Sequence, residues 1–121
     1  MTPLLHMTTA ADWRSAVELG TYAAPSLAEA GFIHLSTLDQ VHLPATALFR
    51  GRGDIVLLWI DPGRLSAPLR WEPGRPDDPE GMLFPHLYGP VEVHAVLSVS
   101  PYLPGPDGSF DRPAGLDTFQ P

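Results

Sequence analysis

A short, wholly apolar segment in the middle of the chain constrains the fold more than any other feature. Residues 55–60 read Ile-Val-Leu-Leu-Trp-Ile, and the turn-forming sequence Asp61-Pro62-Gly63 follows at once. A continuous apolar run of this kind is typical of a strand that is covered on both faces. The segment therefore predicts a central strand around which the remaining elements pack.

The composition suits one globular domain. The chain has 121 residues, of which 44% are hydrophobic and 17% are charged. We expect a single α+β domain over residues 1–100, followed by a tail over residues 101–121, which hold five prolines and three glycines without a periodic pattern. No apolar run is long enough to cross a bilayer and the first residues lack a signal-peptide pattern, so we expect a cytoplasmic protein.

Charge and cysteine content narrow the classes of function. The formal charge of −7 comes from 14 acidic residues against seven basic ones, and every basic residue is arginine. This balance opposes binding to nucleic acid or to an anionic membrane, although one or two local arginines suit a small phosphate-bearing ligand. The absence of cysteine removes disulfides, thiolate metal sites and a cysteine nucleophile. A domain of this size buries enough surface to fold alone, and a partner subunit would bury more, so the sequence is compatible with a monomer and with a homodimer.

Two short strands each carry a histidine among apolar residues. In residues 4–8, period-two alternation places Leu4, His6 and Thr8 on one side, and in residues 32–36 it places Phe32, His34 and Ser36 on one side. Buried polar groups cost free energy unless they are hydrogen-bonded. We therefore expect the polar sides of these strands, if the strands are neighbours, to line one cleft.

Helix signals follow both strands. Thr9 is placed to cap a helix over residues 10–19, with Trp13, Ala16 and Val17 on its buried face and Gly20 at its end. Thr37 and Gln40 form a capping-box signal for a second main helix that runs to about residue 49, with a kink at its internal proline.

The remaining chain is predicted to be mostly strand. We expect a short strand over residues 69–72, an ordered segment over residues 83–90, and a last strand over residues 91–99. The element order predicts an α+β domain in which two main helices pack on a compact, mostly antiparallel sheet.

Further polar residues are candidates for the wall of the cleft. With the four polar residues of the two strands, they form the predicted ligand-binding set, which is His6, Thr8, Tyr22, His34, Ser36, Arg70, His86 and Tyr88. For His34 and His86, a structural role in bracing loops through backbone hydrogen bonds is the alternative.

Other site chemistries find little support in the spacing. There is no HExxH pair and no cysteine cluster, and only Glu92-x-His94 places two metal-ligand types on one strand face, so we expect no metal site. Ser36 lacks a nucleophile-elbow pattern, and Gly51-Arg52-Gly53 lacks the rest of a nucleotide-binding glycine loop.

Three separated motifs resemble a known bacterial family, the "domain of unknown function 952". The resemblance covers about residues 3–100 in order, and it rests on Leu5-His6-Met7-Thr8-Thr9 with Asp12-Trp13, on Gly31-Phe32-Ile33-His34-Leu35-Ser36-Thr37 with Gln40, and on Phe84-Pro85-His86-Leu87-Tyr88-Gly89-Pro90. Members of that family look like compact versions of the ADP-ribosyltransferase fold, a split and strongly bent sheet that grips NAD in a central cleft. The resemblance thus implies NAD as a substrate rather than a tightly bound cofactor.

The resemblance also suggests roles for individual residues. His6-Met7-Thr8 matches the first-strand His-x-Thr that contacts the nicotinamide-side ribose, and residues 33–36 resemble the His-Leu-Ser strand of the NAD-dependent RNA 2′-phosphotransferases. Those enzymes surround the cleft with several basic residues, whereas this chain has only scattered arginines. A catalytic glutamate is expected to stabilise the cationic ribose, and Glu72 or Glu92 would fill that place, which makes His6, Glu72 and Glu92 the catalytic candidates.

Three functions follow from these observations. The first is an enzyme or degenerate enzyme that binds NAD or an ADP-ribose-like nucleotide and, if active, transfers ADP-ribose or acts like a 2′-phosphotransferase. The second is a non-catalytic module that binds a small ligand or a protein partner. The third, a metal-assisted hydrolase, is the least favoured.

Overall fold

A computed structural model describes residues 2–75 and 78–113. This part of the chain forms eight strands and three α-helices, with two short 3-10 turns at Pro62–Arg64 and Val93–Ala95, and all three helices precede the fourth strand. In chain order they are β1 (Leu4–Thr9), α1 (Ala10–Leu19), β2 (Thr21–Tyr22), α2 (Pro25–Ala30), β3 (Ile33–His34), α3 (His42–Phe49), β4 (Ile55–Ile60), β5 (Leu69–Pro73), β6 (Leu83–Leu87), β7 (Val91–Glu92) and β8 (Val96–Pro101). None of the helices in the described ranges is long and apolar enough to cross a membrane.

All strand pairs in the described residues are antiparallel, and they form three small sheets. The first sheet has the order β1-β4-β8, the second joins β2 to β7, and the third has the order β3-β6-β5. The apolar segment Ile55–Ile60 is the central strand of the first sheet, as predicted, and five of its six residues are buried. The prediction of a mixed α+β fold with antiparallel sheets is confirmed.

Backbone hydrogen bonds at one residue pair link the first sheet to the chain that follows β3 of the third sheet. Leu5 and Ser36 form an isolated antiparallel bridge, in which each backbone N–H donates to the other residue's carbonyl at 2.8 Å. The two histidine-bearing strands are therefore neighbours, and residues of both sheets pack together in a hydrophobic cluster that includes Leu4, Ile33 and Leu87.

Helix α1 has the predicted bounds. The Thr9 hydroxyl accepts the Asp12 N–H at 3.1 Å, and Gly20 ends the helix in the left-handed conformation with φ of 86°. Ala16 is buried, but Val17 is 51% exposed, so its assignment to the buried face was wrong. With only Ala16 fully buried in this helix, the contact with the sheet is narrower than the three-residue stripe that the sequence suggested.

Helix α3 begins later than the capping-box signal indicated. The Gln40 side chain does accept the Thr37 N–H at 3.0 Å, but it also donates to the Leu83 carbonyl at 3.1 Å, and the helix starts at His42. Pro44 consequently lies in the first helical turn, where the missing N–H has no intrahelical partner to lose. The proline therefore removes no hydrogen bond from this helix, which runs from His42 to Phe49. With α2 the described chain has three α-helices rather than two.

The predicted last strand over residues 91–99 is divided in two. The 3-10 turn Val93–Ala95 separates β7 from β8, and the Ala95 carbonyl accepts the Asp61 N–H at 2.8 Å. The physical reason is that the chain changes sheets at this turn, since β7 pairs with β2 whereas β8 pairs with β4. One continuous strand cannot hydrogen-bond in both places.

Two hydrophobic clusters lie on opposite faces of the first sheet. Leu4 and Leu58 belong to the cluster that includes Tyr22, whereas Leu5 and Leu57 belong to the other one. Neighbouring residues of a strand point to opposite faces, which explains this division. The two faces of β1 are both buried, but in different surroundings.

Residues 102–113 lack helix and strand, yet their first part is packed. Tyr102 and Phe110 are buried in the second cluster, and the Phe110 N–H donates to the Thr46 hydroxyl of α3 at 2.9 Å. The segment that was expected to be a tail thus covers one face of the first sheet up to residue 113. The rest of that predicted tail, residues 114–121, lies outside the described residues.

Candidate functional site: a histidine-lined cleft

A cleft of about 340 Å³ opens where the first and third sheets separate. Its walls come from β1, the chain before and within β3, the two ends of α3, the segment after β5, and β6. The lining includes Leu5, His6, Phe32, His34, Ser36, Arg75 and His86. Most of the lining is hydrophobic, with a few polar groups among it, as in small-molecule sites generally.

Strand register brings several of the predicted site residues to one face of the third sheet. His34 lies opposite His86 on the neighbouring strand, and Arg70 lies opposite His86 on the other side. Since alternate residues share a face, Glu72 and Tyr88 join them. Five residues from three separate stretches of the chain, on β3, on β5, and on and just after β6, therefore meet beside the cleft.

Glu72 is the centre of a hydrogen-bonded group next to the cleft. One of its carboxylate oxygens accepts the His86 Nδ1–H at 2.9 Å and the Tyr88 hydroxyl at 2.6 Å. The hydrogen bond from Tyr88, followed by that from His86, lowers the pKa of Glu72, and the bond to Glu72 raises the pKa of Tyr88. The Arg70 guanidinium lies 5.0 Å from the centre of the Tyr88 ring, in a cation–π arrangement.

An aromatic stack lines the cleft beside this group. The Phe32 ring is nearly parallel to the His86 ring at 4.1 Å and 16°, while the His34 ring is perpendicular to His86 at 5.3 Å. Phe32 was not among the predicted ligand-binding residues. Its alternation with His34 along the strand was the available signal, because it placed both side chains on one side.

His86 has a hydrogen-bonding atom that is not used within the described chain. Its side chain is 3% exposed, its Nδ1 is bonded to Glu72, and its Nε2 has no hydrogen-bond partner. Buried polar atoms are almost always paired, so an unpaired one in a cleft wall calls for an explanation.

His6, in contrast, is fully engaged. Its Nδ1 lies 2.6 Å from the His34 carbonyl, and its Nε2 lies 2.9 Å from the Tyr22 hydroxyl, which is in turn 3.0 Å from the Thr8 hydroxyl. A carbonyl only accepts, so Nδ1 carries the proton and Nε2 accepts from Tyr22. Burial lowers the pKa of His6 to about 4, and the imidazole is neutral near pH 7.

The Leu5–Ser36 bridge explains the direction in which the His6 side chain points. Leu5 and Ser36 are directly opposite each other, so their side chains point to the same face and the His6 side chain points to the other one. His6 and Thr8 thus bond to Tyr22, which belongs to the first hydrophobic cluster. His6 still reaches the wall of the cleft, but Thr8 and Tyr22 are not lining residues.

The other predicted residues are placed as follows. Ser36 is 5% exposed and lines the cleft. Arg70, Glu72 and Tyr88 are not lining residues and connect to the cleft through His86. Glu92 is separate from this group, since its carboxylate accepts the Ser66 N–H and hydroxyl at 3.1 Å and stabilises the loop before β5.

Among the described residues, no three histidine, aspartate or glutamate side chains are grouped so that they would hold a metal ion. The rings of Phe32, His34 and His86 offer the cleft surfaces for stacking and imidazole groups for hydrogen bonding. Arg75 adds a basic residue to the wall, and guanidinium groups suit phosphate oxygens.

The fold and the site define a small α+β protein with a histidine-lined cleft between two antiparallel sheets. The chain belongs to the family described as "Protein of unknown function (DUF952)", whose model matches residues 7–99. No curated protein matches it.

Solved structures of one bacterial protein are similar over nearly the whole chain. The X-ray structure of protein CC0527 from Caulobacter crescentus is 34% identical, with a TM-score of 0.77, and the match covers 91% of this chain and 94% of that one. The solution NMR structure of CC0527 is 33% identical, with a TM-score of 0.74 and coverage of 90% and 91%. These likenesses agree with the family and the fold.

Proposed function

We propose that the cleft binds NAD or an ADP-ribose-like nucleotide. The observation that carries this proposal is the stacked Phe32–His86 pair in a largely apolar cleft, beside a buried imidazole nitrogen that lacks a partner. Planar rings and a few directed polar groups are what a nucleotide needs for recognition. Arg75 in the same wall is suited to a phosphate.

If the cleft also transfers ADP-ribose, Glu72 is the better candidate for the catalytic carboxylate. Its pKa is lowered, so it is ionised near neutral pH, and it contacts His86 directly. A fixed negative charge near the ribose stabilises the cation that develops as nicotinamide leaves. Glu92, in contrast, bonds to Ser66 away from the cleft lining.

One observation favours the second candidate function, a non-catalytic binding module. Both ring nitrogens of His6 are bonded within the chain, to the His34 carbonyl and to Tyr22. His6 would have to break one of these bonds in order to orient a ribose. Binding by the stacked rings needs no such change.

Titration calorimetry and two-dimensional 15N NMR with NAD, ADP-ribose and nicotinamide test the proposal. We expect binding of NAD or ADP-ribose, with shifts of amide signals concentrated at residues 32–36 and 84–86. Shifts confined to other surfaces, or no heat and no shift at millimolar nucleotide, would contradict it. Chromatography that measures the release of nicotinamide from NAD distinguishes the two candidate functions. A transferase or hydrolase releases nicotinamide, whereas a binding module does not.

A matched pair of variants sharpens this test. Phe32→Leu removes the ring that stacks on His86 and should weaken nucleotide binding about tenfold, in the range expected for the loss of one aromatic contact. Leu19→Ala changes a residue that is 80% exposed on α1 and should bind like the natural protein. Equal affinity of the two variants would exclude the stack as the binding surface.

A further inference from the structure

His86 is held by its neighbours and keeps one ring nitrogen without a hydrogen-bond partner. Phe32 stacks on the ring, and Glu72 accepts the proton of Nδ1 at 2.9 Å. The Nε2 atom lies on the opposite edge of the ring from the Glu72 contact and has no partner among the described residues. What remains is an approach in the plane of the ring, toward Nε2.

The hydrogen bond to Glu72 also fixes the chemical character of Nε2. A carboxylate accepts but does not donate when it is ionised, so Nδ1 carries the proton in neutral His86. Nε2 is then a lone-pair acceptor. Carboxylates that hold a histidine in this way set its tautomer and its orientation.

We propose that His86 Nε2 recognises a hydroxyl group of the bound ligand, so that the part of the ligand at this end of the cleft is a sugar rather than a second planar ring. This inference rests on the proposed function and adds which atom reads the ribose. An in-plane acceptor selects a donor, and the hydroxyl groups of a ribose are donors that point outward from the sugar ring.

The site also has a route by which the ligand reaches the atom. Less than 1 Å² of Nε2 is accessible, so a neighbouring side chain has to move. The His34 ring is perpendicular to both Phe32 and His86, with centroids at 4.9 and 5.3 Å, and His34 is classed among the exposed residues. His34 is the exposed ring of these three, so we expect its side chain to move when a ligand binds.

Two measurements on the natural protein test the inference. In long-range 1H–15N NMR spectra of the free protein, His86 should show the tautomer with the proton on Nδ1, and the Nε2 resonance should shift when ADP-ribose is added. The opposite tautomer overturns the inference without any ligand. Binding of ADP-ribose that leaves the Nε2 resonance unchanged overturns the inference while the proposed function stands, and a failure of ADP-ribose to bind overturns both.

Variants supply an independent readout. His86→Gln should weaken ADP-ribose binding about tenfold, because the hydrogen bond to the imidazole nitrogen is lost. The matched control is His94→Gln, which changes an exposed histidine outside the cleft lining. If His86→Gln and His94→Gln bind ADP-ribose equally, His86 does not recognise the sugar. Should His86→Gln fail to fold, the measurements on the natural protein still decide.

Discussion

At the scale of single residues, His6 and His86 show how one side-chain type serves two purposes. Each is buried and each belongs to a strand that the sequence marks by a polar residue among apolar ones. His6 uses both ring nitrogens within the chain, whereas His86 uses one. The difference comes from strand register, which turns His6 toward Tyr22 and His86 toward the cleft.

Replacement of His6 should destabilise the fold. His6→Ala leaves the His34 carbonyl without its side-chain partner and leaves the Tyr22 hydroxyl with only Thr8, at a cost of about 1–3 kcal/mol for an unsatisfied buried group. We expect the free energy of unfolding from urea titration to fall by roughly that amount or more. His94→Ala, at an exposed histidine, should change it by less than about 0.5 kcal/mol. A loss at His94 equal to that at His6 would contradict the structural role.

The same histidine should make stability depend on pH. The pKa of His6 falls from 6.5 to about 4 on folding because the ring is buried, so the unfolded chain takes up the proton first as pH decreases. The stabilisation is complete above pH 6.5 and is lost between pH 6.5 and about 4, by about 3 kcal/mol in total.

Urea unfolding at several pH values checks this dependence. His34, whose pKa is lowered by burial, contributes a slope of the same sign. The comparison is therefore between the natural protein and His6→Gln, in which the His6 part of the slope disappears. Parallel stability curves for the two proteins over this range would show that His6 is not the group that titrates.

At the scale of elements, local signals predicted what local contacts determine. The bounds of α1 follow from Thr9 and Gly20, both of which act within one turn of the helix, and these bounds were predicted from sequence. The start of α3 was not predicted from sequence, because the Gln40 side chain bonds to Leu83, which is 43 positions away. The break in the predicted last strand depends on pairing with two different sheets, which the local pattern does not contain.

Gly20 gives a direct test of the end of α1. Its φ of 86° is in the left-handed region, where a side chain costs about 1–2 kcal/mol. Gly20→Ala should lower the free energy of unfolding by about this amount. Gly53→Ala is the matched control, since φ there is not positive and nothing lies within 4 Å of the added carbon. Equal thermal midpoints for the two variants would rule out strain at the helix end.

The candidate site was predictable in part for the same reason. Alternation along residues 32–36 placed His34 and Ser36 on one side, and both line the cleft. Polarity in an apolar run marked His86, but its link to Glu72 depends on the pairing of β5 with β6. Phe32 gave no polar signal, and the separation of Glu92 from the cleft follows from β7 pairing in another sheet.

At the scale of the whole molecule, the first sheet has to be covered on both faces, and three helices do not cover it alone. Tyr102 and Phe110 complete the second cluster on the face that includes Leu5 and Leu57. The sequence did not predict this burial, because a segment rich in proline and glycine lacks the periodic pattern of a helix or strand. Such a segment can still bury individual side chains. The same face of β1 that receives these residues continues, at Leu5, into the wall of the cleft.

Phe110 should therefore contribute more to stability than its position after the last strand suggests. Its side chain is 3% exposed and its ring lies 4.8 Å from that of Tyr102, so Phe110→Ala opens a cavity in the second cluster. A buried Phe→Ala change costs about 3–5 kcal/mol, a large part of the stability of a domain of this size. Leu103→Ala, at a residue that is 63% exposed in the same segment, should cost less than about 0.5 kcal/mol.

Urea unfolding of both variants measures the difference in stability. A Phe110→Ala protein as stable as Leu103→Ala would mean that the segment lies on the surface without closing the core. Because Leu5 joins this cluster to the cleft, we also expect broadened amide signals at residues 34–36 in Phe110→Ala and not in Leu103→Ala.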